Sequence, residues 1–125
     1  MFKNKFASIV FSAMLAAGFL AQADIAAAKE KAEDNYKLYC VQCHGSKGTG
    51  RGINAPALSV QPRNHTSAPD MSALADITVA KAIKEGGIAV GKSTQMPPFG
   101  GILTEEEIQD MVKHLRGMCK CEGKK

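Results

Sequence analysis

Hydrophobic and polar positions change character repeatedly along the chain. Lys3 and Lys5 precede an apolar run from Phe6 to Ala21, broken only by serines and small residues. From Lys29 to Tyr39 there is no Gly or Pro, and Ala32, Tyr36 and Tyr39 fall on one stripe, so the pattern predicts a helix running into Cys40. Gly45 to Gly52 is glycine-rich and predicts a loop. Asn54 to Asp70 holds Pro56, Pro62 and Pro69 and predicts an extended irregular segment. Asp76 to Glu85 reads as a helix with Asp76 as N-cap, Val79, Ala82 and Ile83 on one face, and Gly86-Gly87 as its end. Val90 to Gly101 is a loop centred on Met96-Pro97-Pro98-Phe99.

The last helix has the clearest signals. Thr104 and Glu107 have capping-box spacing, three acids fill the first turn, and Ile108, Met111, Val112 and Leu115 form an apolar stripe. Gly117 is the expected stop, and a basic tail follows. No strand alternation and no internal repeat is present. The expectation is an all-α domain of three or more helices with long loops. Such loops are too long for a small helical domain unless a large group fills the middle.

The N-terminal pattern changes what is counted. A basic start, an apolar stretch and Ala21-Gln22-Ala23 form a secretory signal, with residues 1–23 removed and Asp24 first in the mature chain. A second cleavage position follows Ala28. The formal charge of +4 over 125 residues loses Lys3 and Lys5 on cleavage, leaving 14 basic and 12 acidic residues. Residues 24–125 then form one domain, exported to an oxidising compartment, the bacterial periplasm. Mild charge and few aromatics exclude a dedicated nucleic-acid binder. No stable membrane insertion is expected after cleavage.

Cys40-Val41-Gln42-Cys43-His44 carries the chemistry. C-x-x-C-H is the attachment motif for c-type haem. Two thiols at this spacing on a helix end reach the two vinyl groups of one porphyrin edge, and the next imidazole lies under the iron. That makes His44 the proximal axial ligand. A thioredoxin-type pair would need a preceding strand, and here a helix precedes. A zinc site would need two further ligands, and Cys119 and Cys121 are poorly spaced to supply them. One motif means one haem.

These residues bring the chain to a family. Over about residues 30–117 it resembles class I cytochromes c, small mono-haem electron carriers. In that family a proline follows the histidine by twelve residues and its carbonyl receives the imidazole Nδ1 proton. A leucine two residues later packs on the haem, and a methionine in a loop before the C-terminal helix is the distal ligand. Pro56, Leu58 and Met96 occupy those places, and Thr104–Leu115 is the helix. The segment Pro62-Arg63-Asn64-His65 looks like a bacterial subgroup. The resemblance implies His44/Met96 ligation, with a thioether that favours Fe(II) and raises the potential.

Other positions are weighed beside these. His65 is the chemical rival for the sixth site, through bis-His ligation, and otherwise a loop histidine near a propionate. Met71 is a second rival, whereas Met111 reads as core and Met118 lies near the tail. Arg51 and Arg63 are candidates to pair with a propionate. Tyr39 and Phe99 are candidates to pack on the porphyrin. His114 reads as solvated. The family's tyrosine hydrogen bond to the methionine sulfur has no counterpart here. Cys119 and Cys121 have three open states: a C-x-C disulfide, a bridge between two chains of a dimer, or free thiols.

The expected function is a periplasmic, non-enzymatic one-electron carrier, monomeric, meeting redox proteins transiently. The alternatives are a haem sensor or a small peroxidase-like or redox-complex subunit with a weak or open sixth site, and a thiol-redox module using Cys119 and Cys121.

Overall fold

The computed structural model describes residues 31–125. The signal segment, both cleavage positions and the Lys29 start of the first helix lie outside the described residues. Five α-helices occur among the described residues and no strand: α1 (31–39), α2 (Val41–His44), α3 (Ala68–Ser72), α4 (Asp76–Glu85) and α5 (Glu105–Cys119). Two short 3-10 turns, Ala55–Ala57 and Gly87–Val90, interrupt the loops. The fold is therefore all-α, as the pattern predicts. No described helix is long and apolar enough to cross a membrane.

The core follows from the α5 stripe. Ile108, Met111, Val112 and Leu115 are at most 3% exposed, and Val79, Ala80 and Ile83 of α4 pack with them. Ala80 takes the place expected for Ala82, which is half-buried. The stripe of α1 buries Ala32 and Tyr36 but leaves Tyr39 37% exposed. α1 is tied to the start of α5 by Lys31–Glu107 at 3.1 Å and by Asn35 donating to the same carboxylate.

The ends of the helices obey local chemistry, with three departures. The Thr104–Glu107 capping box is fully formed. Asp76 is not the N-cap of α4: Ala75 takes that place, and the Asp76 carboxylate accepts from Arg116 instead. Gly117 does not stop α5. The helix runs to Cys119 because that side chain continues the Leu115 stripe into the core, while Gly117 sits on the open side. Lys120 then turns in the left-handed conformation (φ 51°). Cys119 and Cys121 are bonded to each other within the chain, so neither a free pair nor a bridge between chains is the state observed.

Candidate functional site

The loops expected to surround a large group do surround one cavity of about 800 Å³, within the span typical of ligand sites. α1 and α2 make one wall. Cys40 N–H donates to Tyr36, His44 N–H to Cys40 and Gly45 N–H to Val41, so helical bonding runs almost unbroken through the motif. This places Cys40, Cys43 and His44 on the cavity. Both cysteines are free and half-buried. Burial, reinforced by Cys43, pushes the Cys40 thiol up to about 12, which keeps it protonated.

The glycine loop permits this wall to close. Gly52 N–H donates to the Cys43 carbonyl at 2.9 Å, and a Cβ there would overlap the Val41 and Gln42 carbonyls. Only glycine allows that approach. Gly50 N–H donates to the His44 carbonyl at 2.8 Å.

His44 is presented as a ligand. Its Nδ1–H donates to the Arg63 carbonyl at 3.0 Å, which leaves the Nε2 lone pair for a metal. Burial holds its pKa below the ordinary imidazole value, so the ring is neutral. The acceptor corrects the expectation for Pro56. Pro56 lies in an exposed 3-10 turn and does not line the cavity. The chain needs seven further residues to return past the imidazole, and it returns at Arg63. The Pro62-Arg63-Asn64-His65 segment was the signal for this, ahead of the residue count from His44.

The remaining predicted residues divide clearly. Leu58, Tyr39, Phe99, Arg51 and Arg63 all line the cavity. Tyr39 and Phe99 also meet each other, with ring centroids 6.0 Å apart. Met96 lines it from the loop after α4 and is half-buried. Met71 and Met111 are each 1% exposed and belong to the core cluster, though both border the cavity.

His65 is neither a surface histidine nor a sixth ligand in this arrangement. Its ring stacks on His44 with centroids 4.2 Å apart and an interplanar angle of 17°. Imidazoles on opposite sides of one iron would stand end-on, with ring centres roughly 6 Å apart given metal–nitrogen bonds of about 2 Å. Burial, then the neighbouring His44, lowers its pKa to about 3, so it is neutral. Tyr36 Oη lies 3.2 Å from His65 Nδ1 and donates to the Gly45 carbonyl at 3.3 Å. The hydroxyl has one proton, so His65 Nδ1–H is the donor to Tyr36. His114 is half-buried with its ring against Tyr36, at 5.4 Å, and is not solvated.

The residues present fit a covalent haem. Two free thiols, a neutral imidazole with Nε2 available and a thioether border one cavity, and Arg51 and Arg63 stand at it as partners for carboxylates. The cytochrome c family profile matches residues 29–118. The chain belongs to the cytochrome c family. As a cytochrome c it carries covalently bound haem c and is a haem-based electron-transfer protein. Solved structures with the same fold include two relatives. One is the c-type cytochrome KustC0563, at 27% identity and TM-score 0.55, over 69% of this chain and 94% of that one. The other belongs to the reducing HAO-like protein complex Kustc0457/Kustc0458 of Kuenenia stuttgartiensis, at 30% identity and TM-score 0.56. That match covers 71% of this cytochrome but 41% of the other chain, so this cytochrome spans about two fifths of it. No curated protein matches the sequence.

Proposed function

We propose that this cytochrome is an exported mono-haem carrier that passes single electrons between redox proteins. Cys40 and Cys43 hold the haem, and His44 and Met96 are its axial ligands. Bound, the haem supplies a reversible Fe(III)/Fe(II) couple. The observation that carries the reading is the His44 imidazole: neutral, fixed through Nδ1 by Arg63 and placed beside two free thiols on a cavity that Met96 also lines.

The chain's own residues do four things in this reading. Cys40 and Cys43 would hold the haem covalently, as thioethers. The Arg63 carbonyl fixes the His44 tautomer and makes it a better donor. Met96 fills the sixth position with a neutral sulfur that favours Fe(II). Leu58, Phe99 and Tyr39 exclude water, while Arg51 and the Arg63 side chain neutralise carboxylates. With both axial positions filled the iron has no open site, which is why this reading is a carrier and not an enzyme. Export follows from the signal segment, cleaved after Ala23 or Ala28, and places the carrier in the periplasm.

The deciding experiment is the visible spectrum of the exported, haem-loaded protein. A sulfur-to-iron charge-transfer band in the oxidised state that disappears in Met96→Ala supports the reading. Its absence, with rapid CO binding to the reduced protein, would favour the sensor or peroxidase-like alternative.

A second reading has its own support. The 30% identity with part of a chain in the HAO-like complex favours a small electron-transfer subunit of a larger redox assembly. Co-purification of the native cytochrome separates the two: a carrier elutes alone, and a subunit elutes with a stoichiometric partner.

A further inference from the structure

His65 is the buried polar side chain of the described structure, at 8% exposure. Burying an imidazole is costly unless its polar atoms are satisfied, and a phenyl ring would fill such space at no polar cost. Here the polar atom is used. His65 Nδ1–H meets the Tyr36 hydroxyl at 3.2 Å, and that hydroxyl is anchored on the Gly45 carbonyl, next to His44 in the chain. The backbone of His65 is pinned as well, its N–H donating to the Gly48 carbonyl at 2.6 Å. The free face of the ring lies flat on His44.

We infer that His65 is a positioning residue that sets the rotation of the His44 imidazole plane, with Tyr36 holding it from behind. The inference rests on the reading of His44 as an axial ligand. The hydrogen bond to Arg63 fixes one edge of the His44 ring but allows it to swing about that edge. A flat neighbour at 4.2 Å removes that swing. Edge and face together define the plane. The orientation of an axial imidazole plane over the porphyrin nitrogens sets the splitting of the iron d orbitals, so the residue that fixes the plane tunes the ferric electronic structure.

The test uses the oxidised holoprotein, read by the order of the haem methyl proton shifts, the spread of the EPR g values and the midpoint potential. His65→Leu keeps bulk but removes the flat face. It is expected to reorder the methyl shifts and change the g spread. His65→Phe keeps the flat face but not the hydrogen bond to Tyr36, and is expected to give the wild-type order of methyl shifts with displacements about as small as those of Tyr36→Phe. Tyr36→Phe removes only the hydroxyl and is expected to move the shifts in the same direction as His65→Leu, by less. An unmoved methyl pattern in His65→Leu overturns the inference. So do equal changes in His65→Leu and His65→Phe, which mark a general structural role. Should His65→Leu fail to mature, Tyr36→Phe decides, and an unmoved pattern there overturns it. Failure of the His44 reading shows elsewhere: the oxidised wild type would then show no strongly shifted ring protons assignable to His44.

Discussion

Arg116 reaches from α5 to the start of α4, where its Nε donates to the Asp76 carboxylate at 2.8 Å. Its other nitrogens donate to the Met71 carbonyl at 2.6 Å and the Leu74 carbonyl at 2.7 Å. One guanidinium thus ties α3, the turn after it and α4 to α5. The side chain is 12% exposed, whereas that of Asp76 is 62% exposed. Arg116→Met keeps the apolar stem but strands two carbonyls, and should cost about 2–4 kcal/mol in urea unfolding. Asp76→Asn should cost less than about 1 kcal/mol, because an exposed pair is screened. Equal losses would mean that the ion pair, not the carbonyl bonds, carries the tie.

Gly52→Ala should prevent stable haem loading. The added carbon meets backbone of the motif helix, which cannot move aside as a side chain tip would. The yield of holoprotein against Gly117→Ala measures this. Gly117 has open space at the corresponding position, so its replacement should load haem normally and stabilise α5 by up to about 1 kcal/mol.

Met96→Ala should lower the midpoint potential and open the reduced iron to CO. Both effects follow from removing a neutral sulfur ligand. A variant with unchanged potential and no CO binding would sink Met96 as the ligand.

The capping box gives an acid-limb prediction. The Thr104 backbone N–H, then Lys31, then the Thr104 hydroxyl hold the Glu107 carboxyl down at about 2 against an ordinary 4.5. A carboxyl whose pKa is depressed on folding stabilises fully above its unfolded pKa. That contribution is lost as pH falls from about 4.5 to about 2. Glu107→Gln should therefore be less stable than wild type at pH 7, with the difference closing across that window. A gap that stays constant on acidification would count against the assignment.

The Cys119–Cys121 bond closes a very small loop, so it restricts the unfolded chain little. Reducing the bond, with both sulfurs left in place, should cost no more than roughly 1.5 kcal/mol. Thiol titration of the holoprotein should find no free thiol before treatment with a dithiol and two after it. A covalent dimer on a non-reducing gel would contradict the intrachain bond.

How much was legible in advance differs by residue. The α5 capping box and stripe need only contacts three and four residues apart, and these act within a single helix whatever surrounds it. The C-x-x-C-H motif is equally local, since five consecutive residues bring two thiols and an imidazole to one helix end. Pro56 was misplaced because a count from His44 carries no information on how a proline-rich loop curls; the return of the chain at Arg63 depends on Gly50 and Gly52 closing against the motif helix. Likewise Gly117 is a stop signal locally, but the burial of Cys119 outweighs the weak propensity of one glycine.

The sequence by itself determined α1, the body of α4, the capping box and stripe of α5, the haem-binding motif and the family, because each depends on neighbours along the chain. The tertiary structure alone decided which carbonyl holds His44, that His65 stacks on it, that Arg116 joins three segments and that Cys119 finds Cys121. Those contacts link residues brought together by loops without periodicity or bend the chain against its local preference. Their geometry exists only once the core around the cavity has closed.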